Sequence, residues 1–414
     1  MLAGRTIARV ALVVAGAACG SFGSSAEDAG AGGDAATQTT DGPSVGVDAT
    51  PEGGPTEAGA DAGGCTATGR AAVDTAYGQA AAFPFPVRRG AVTPTGDVYG
   101  VAQRACPDGG NGATLARIGR DGVASGALVC LEGENAWAIS ADRGDALVGT
   151  SLGTTSPRVR LWRVSPAGTA TRLDDFTNTA VSPPDPTFRT PYPTLVFASG
   201  SLTAWGGFLE AQVGSPRLKG VLRASTGGAW FPVTTPVTTE VPVAMAARGS
   251  TLLVAFVNAE GENYLALRRF NVASTLSEDT TFSAKVALPQ PVTVTPDGPV
   301  RSLVWHGDTI TLVAPGSGTD SAIIVFRGAS ATTPAAFAAS DPRVAGACDG
   351  AVLIAATGTG GAIDLLRFAS GSLGWSGGAA PPHLPGLGLL AGLGVADDGL
   401  AYVIGSQRAA RLTP

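Results

Sequence analysis

The chain has 414 residues, with 33 acidic and 27 basic side chains and a formal net charge of −6 at pH 7. Eight acids and no base lie within residues 20–64; setting these aside, with the two arginines that precede them, leaves 25 acidic and 25 basic residues. A neutral remainder with two lysines excludes the basic surface that nucleic-acid binding requires, so no nucleic-acid partner is predicted.

The first 18 residues have the pattern of an export signal. Arg5 and Arg9 give a positively charged start, and residues 10–18 form an apolar run that ends in small side chains. This run is too short to cross a bilayer, so residues 1–18 are predicted to be a signal peptide.

The end of that run reads Gly-Ala-Ala-Cys at residues 16–19 and resembles a bacterial lipobox, with Gly16 where the family usually has Leu. The resemblance implies that Cys19 is lipidated and that a lipid anchor is the protein's membrane contact. Gly20 after the cysteine favours an outer-membrane lipoprotein of the bacterial cell envelope. Secretion without lipid, after cleavage by ordinary signal peptidase, is the alternative.

Residues 19–64 are rich in Gly, Ala and Asp and hold almost no large apolar side chain. Such a segment buries too little surface to offset its ordering entropy. It is therefore predicted to be a disordered acidic tether.

From residue 65 onward, a glycine turn between two apolar stretches recurs seven times. The turn glycines are Gly96, Gly144, Gly200, Gly249, Gly307, Gly350 and Gly399. Their spacing of about fifty residues, built from strands and turns, is typical of a β-propeller. We predict an all-β, seven-bladed propeller of four-stranded antiparallel blades over residues 65–414. The predicted blades lie near residues 87–131, 135–176, 192–236, 241–282, 298–338, 342–378 and 387–414.

A second signature is an arginine in the third strand of each repeat. These arginines are Arg117, Arg163, Arg223, Arg269, Arg327, Arg367 and Arg411. One arginine per blade at one position favours a structural role, in which each packs its stem and hydrogen-bonds the next blade. The repeats resemble those of kelch and WD propellers in architecture only, because neither family's sequence motif is present.

The seventh repeat stops after its third strand, at Pro414. Residues 79–88 precede the first turn and form a spare strand. We predict that they complete the last blade and close the ring, which would leave no open sheet edge.

The chain has five cysteines, and lipidation of Cys19 would leave four. Three pairings of four cysteines are possible in an oxidising compartment. Cys106–Cys130 is favoured because both lie in the first repeat, which leaves Cys65–Cys348. Four reduced thiols are the alternative.

Residues typical of catalytic sites are scarce. Neither His306 nor His383 has a second ligand at metal-binding spacing, and no triad, phosphate-loop or dinucleotide motif is present, so no metal and no cofactor is predicted. In a propeller, the connections from the outer strand of one blade to the inner strand of the next meet the second-to-third-strand connections at one rim of the channel. Candidate ligand-binding residues in these connections are Asp185, Phe188, Arg189, Tyr192, Glu210, Glu262 and Tyr264. Packing over the joint between blades 2 and 3 is the alternative role for the first four.

These observations favour a monomeric, non-catalytic binding module whose partner is a protein or a glycan at the cell envelope. A secreted hydrolase or lyase acting on glycans or lactones is the alternative, and it would require acidic side chains of several blades to converge on one deep pocket. A third hypothesis, a role in assembly at the outer membrane, would require a broad exposed apolar patch. The sequence does not decide whether the protein is an enzyme.

Overall fold

The computed structural model describes residues 72–152, 158–177, 188–211, 218–231, 239–258, 262–273, 275–290, 292, 294, 303–315, 320–358, 361–374 and 380–413. The predicted signal peptide, Cys19, the tether, Cys65 and Asp185 lie outside the described residues. Within the described part of the chain, no helix is long and apolar enough to span a membrane.

The first two elements are strand β1 (Ala72–Asp74) and helix α1 (Thr75–Ala80). Blade 1 consists of β2 (Arg89–Val92), β3 (Val98–Ala105), β4 (Asn111–Ile118) and β5 (Ala124–Glu132). Blade 2 consists of β6 (Glu134–Asp142), β7 (Asp145–Leu152), β8 (Arg158–Val164) and β9 (Ala170–Thr177). Blade 3 consists of β10 (Phe188–Ser199), β11 (Leu202–Ala211), β12 (Leu218–Thr226) and β13 (Ala229–Trp230).

Blade 4 consists of β14 (Glu240–Arg248), β15 (Thr251–Asn258), β16 (Tyr264–Val272) and β17 (Leu276–Ala287). Blade 5 consists of β18 (Leu303–His306), β19 (Thr309–Pro315), β20 (Asp320–Arg327) and β21 (Ser330–Ala338). Blade 6 consists of β22 (Ser340–Gly346), β23 (Val352–Thr357), β24 (Ile363–Ala369), β25 (Ser372–Leu373) and β26 (His383–Leu384). Blade 7 contains β27 (Leu390–Val395), β28 (Ala401–Gly405) and β29 (Ala409–Thr413). Every pairing between strands is antiparallel, and the seven sheets follow chain order, so the predicted seven-bladed propeller is confirmed.

The core is a ring of seven apolar clusters, one at each joint between neighbouring blades. The second strand of each blade contributes to the clusters on both of its sides, which explains why these strands read as nearly continuous apolar runs. In β28, for example, all five residues are buried.

The turn glycines behave as predicted in six blades. All except Gly144 adopt a positive φ, between 53° and 88°. In blade 2 the preceding residue, Arg143, takes the left-handed conformation instead, with φ 55°. That conformation is strained for a residue with a side chain, so this turn costs more than the others.

Closure of the ring by an N-terminal strand is also confirmed, but the strand lies earlier than predicted. β1 pairs with β29, with Asp74 opposite Arg411. Within the predicted segment 79–88, the structure shows the end of α1 and one isolated bridge, between Ala82 and Arg408. The reason is local: the Asp74 side chain accepts a hydrogen bond from the Tyr77 backbone and caps α1, which interrupts the strand.

Six of the seven repeat arginines form ion pairs with described aspartates, and mostly not with the next blade as predicted. Their partners are Asp97 for Arg117, Asp142 for Arg163, Asp174 for Arg223, Asp279 for Arg269, Asp349 for Arg367 and Asp74 for Arg411. Five of these six pairs lie within one blade. Arg223 instead reaches back from blade 3 to blade 2, because its strand partner Trp205 packs in the cluster between those two blades.

The predicted Cys106–Cys130 disulfide is confirmed, with 5.7 Å between the Cα atoms. It links the end of the second strand of blade 1 to its fourth strand. Cys348 is also disulfide-bonded, and its predicted partner, Cys65, lies outside the described residues.

Candidate functional site

The candidate residues lie at one end of the propeller, here called the upper rim, where the first strand of each blade begins and the second strand ends. Tyr192 and Glu210 belong to blade 3, and Tyr264 begins the third strand of blade 4, just after Glu262. Phe188 and Arg189 begin β10 at the same rim. The opposite end, where the glycine turns lie, is called the lower rim.

Three aromatic rings meet at the upper rim of blades 2 and 3. Tyr192 packs edge-on against Trp137, with 5.5 Å between ring centroids, and lies 5.2 Å from Phe208. Phe208 is buried, whereas Trp137 and Tyr192 are partly exposed. We call these three rings, with Glu210, the rim cluster.

Glu210 supplies the charge of the rim cluster. Burial raises the pKa of Tyr192, and the negative charge and hydrogen bonding of Glu210 raise it further. The phenol therefore stays protonated at neutral pH, and its hydroxyl donates to Glu210. The rim cluster combines partly exposed rings with the remaining acceptor positions of the Glu210 carboxylate, a set of groups suited to binding a sugar or a peptide.

Two strand irregularities lie beside the exposed rings. The register shifts between Ala136 and Ala138 in β6 and between Pro193 and Leu195 in β10. A bulge redirects the neighbouring side chains out of the regular alternation. Trp137 is not among the residues predicted from the sequence, because it lies inside the first strand of blade 2 and not in a connection between strands.

Tyr264 belongs to a second group, in blade 4. Its hydroxyl donates to a carboxylate oxygen of Glu240 at 2.8 Å, and Lys285 lies 3.6 Å from its ring centroid while pairing with Glu262 at 3.0 Å. Burial, followed by the hydrogen bond to Glu240, raises the pKa of Tyr264 to about 12. Arg268 also forms an ion pair with Glu240, at 2.8 Å, so the charge of Glu240 is compensated within this group.

Blade 2 repeats that arrangement with different partners. Glu134, like Glu240, is the first residue of its blade's inner strand and is buried. It accepts hydrogen bonds from Arg160 at 2.6 Å and Thr150 at 2.8 Å. Each of these two glutamates is bound by an arginine and a hydroxyl of its own blade, which gives it a structural role.

Inside the ring, the first strands enclose a channel cavity of about 260 Å³. Its described lining is mainly aliphatic side chains and backbone. Arg89 and Arg343 are its charged residues. No described carboxylate lines it, so the channel cavity does not have the acid–arginine composition that the hydrolase alternative requires.

The two histidines lie at different sites. Nδ1 of His383 is 2.7 Å from an Asp364 carboxylate oxygen in blade 6, and His306 is exposed at the lower rim. Among the residues that the structure describes, no group of three His, Cys, Asp or Glu side chains is arranged to hold a metal ion.

No protein-family model matches the chain, and no curated protein matches it. The solved structures to which it is similar include a periplasmic gluconolactonase of Pseudomonas aeruginosa, at 13% identity and a TM-score of 0.45 over 79% of this chain and 88% of the other. They also include an acylaminoacyl peptidase of Pyrococcus horikoshii, at 13% identity and a TM-score of 0.44 over 79% of this chain and 50% of the other. At this identity and TM-score, these likenesses carry no information on the function of this chain.

Proposed function

We propose that this protein is a lipoprotein of the bacterial cell envelope whose propeller binds a glycan at the upper rim without cleaving it. The observation that supports this function is the rim cluster. Partly exposed aromatic rings stack on the apolar faces of sugar rings, and the Glu210 carboxylate, which has lone pairs beyond the one that binds the Tyr192 hydroxyl, supplies acceptors for sugar hydroxyls.

Catalysis is a less suitable function for this rim. A glycosidase needs two carboxyl groups about 5–10 Å apart, both facing the substrate. Among the described carboxylates of the upper rim, Glu134 and Glu240 are buried and bound by arginine, and Glu262 pairs with Lys285, whereas Glu210 lies beside the exposed rings.

The test is a glycan array probed with the full chain, followed by titration of the strongest hits. Trp137→Ala should weaken binding by about ten-fold through the loss of one stacking ring. Trp305→Ala is the matched control, because Trp305 is a partly exposed tryptophan near the lower rim. Equal affinity of Trp137→Ala and wild type for every hit would refute the assignment, and release of shortened sugars during incubation would favour the hydrolase alternative.

A further inference from the structure

A second cavity, of about 380 Å³, opens at the lower rim between blades 5 and 6. We call it the blade 5–6 pocket. It lies at the opposite end of the propeller from the rim cluster. The side chains that matter here are His306, Thr309, Thr311 and Arg327 on the blade 5 wall and Val352 and Phe368 on the blade 6 wall.

The pocket exists because blade 5 breaks the repeat at one position. Thr309 is the strand partner of the repeat arginine Arg327, and directly paired residues share a face of the sheet. In the other six blades the partner of the repeat arginine is large: Tyr99, Leu147, Trp205, Leu253, Leu353 and Tyr402. The small threonine leaves unfilled the space that a large side chain would occupy.

Arg327 also departs from the other repeat arginines in its electrostatics. The other six are ion-paired with aspartates, whereas Arg327 forms no ion pair with any described residue. The described lining of the pocket contains no acidic side chain. The positive charge of Arg327 is therefore available to an anion from solution.

Thr311 lies deeper in the pocket, on the same face of the strand as Thr309. It is 3% exposed and is opposite Val325, another residue of the pocket lining. Its hydroxyl is a hydrogen-bond donor that a ligand oxygen in the pocket could accept from.

The two walls together define the ligand. Blade 5 offers a guanidinium and a row of hydroxyls, and blade 6 offers Val352 and the ring of Phe368, both buried. We propose that the blade 5–6 pocket binds a small organic carboxylate, with its carboxylate along Arg327, Thr309 and Thr311 and its apolar body against Val352 and Phe368. This inference does not depend on the proposed glycan site.

The test is ligand-observed NMR titration of the full chain with benzoate, with benzyl alcohol as the uncharged analogue and inorganic phosphate as the anion without an apolar body. We expect benzoate to bind at roughly millimolar affinity, and more tightly than either comparison compound. Arg327→Gln should weaken benzoate binding by about ten-fold, because a charge-assisted hydrogen bond is lost. Arg172→Gln removes the same charge from an exposed arginine of blade 2 and should leave the affinity unchanged.

Thr309→Leu gives blade 5 the side chain found at this position in three of the other blades. It should abolish benzoate binding because the leucine side chain fills the pocket. The melting temperature should be equal to or above that of wild type, which shows that binding is not lost through misfolding. The proposal is overturned if benzoate shows no saturable binding, if Arg327→Gln binds it as wild type does, or if phosphate binds as tightly as benzoate.

Discussion

Asp174 joins blades 2 and 3, and its substitution by asparagine gives a sharp test of how the joints are held. The Asp174 carboxylate accepts a hydrogen bond from the Trp205 indole at 2.9 Å and lies 2.8 Å from the Arg223 guanidinium. Both partners belong to blade 3. Asp174 is 6% exposed, and the Arg223 side chain is 16% exposed.

Asp174→Asn preserves the side-chain shape and one acceptor but leaves the Arg223 charge uncompensated in a buried joint. Removal of one partner of a buried ion pair costs about 3–5 kcal/mol. We expect a value near the lower limit, about 3 kcal/mol, because Arg223 keeps its contacts with the rings of Phe176 and Trp230 at 5.7 and 5.5 Å. For a domain of about 340 residues, the melting temperature should fall by about 4 °C.

The assay is urea unfolding followed by near-ultraviolet circular dichroism, which reports the packing of the aromatic side chains, with Trp205 among the six tryptophans. Asp398→Asn is the control, because it removes an exposed ion pair with Arg120 and should cost less than about 1 kcal/mol. The double variant Asp174→Asn with Arg223→Met should regain part of the lost stability. Equal unfolding midpoints for Asp174→Asn and Asp398→Asn would show that the joint does not depend on the ion pair.

Three further predictions concern the ends of the chain and its cross-link. Replacing Cys106 and Cys130 by serine should lower the free energy of unfolding by about 3 kcal/mol, the chain-entropy cost of a loop of this size, and reductant should then have a smaller effect on unfolding than in wild type. The hydrogen bond from the Tyr77 backbone and the Arg411 guanidinium lower the pKa of Asp74, so the stability that Asp74 contributes is complete above its unfolded-state pKa and is lost as pH falls through its folded-state pKa. Asp74→Asn should lower the free energy of unfolding by about 1 kcal/mol at pH 7 and make acid unfolding less steep. An acid-unfolding curve identical to that of wild type would contradict this. Cys19→Ala should abolish incorporation of a labelled fatty acid in the bacterial host, and retained label would refute lipidation at this residue.

The sequence predicts the blades because their signals are local. A glycine that must adopt positive φ, followed at once by a strand buried on both faces, marks each repeat without any knowledge of tertiary contacts. The prediction of residues 79–88 as the closing strand is wrong, although the sequence contains the feature that places this strand earlier. Asp74 before a short helical stretch is an N-cap, which ends the strand before residue 79.

Side-chain partners could not be predicted because they depend on register. Arg223 is the third-strand arginine of its repeat like the other repeat arginines, yet it faces the preceding blade because its strand partner is Trp205. Trp137 lies at a β-bulge, and no residue near it in the sequence indicates that a bulge is present. Thr309 is recognisable as an exception only after the pairing with Arg327 is known, and so the blade 5–6 pocket could not be found from the sequence.

The closure of the ring constrains the order in which this chain can fold. Asp74 meets Arg411 across 337 positions of sequence, and Arg411 also donates to the Arg120 carbonyl in blade 1 at 2.7 Å. Blade 7 therefore cannot be completed until β29 has been synthesised, whereas blades 1 to 6 contain only strands from consecutive stretches of the chain. Until then β1 has no partner strand, which exposes it to pairing with a second chain. Substitutions that prevent β29 from pairing with β1 should accordingly promote aggregation far more than equivalent changes in a strand of blades 1 to 6.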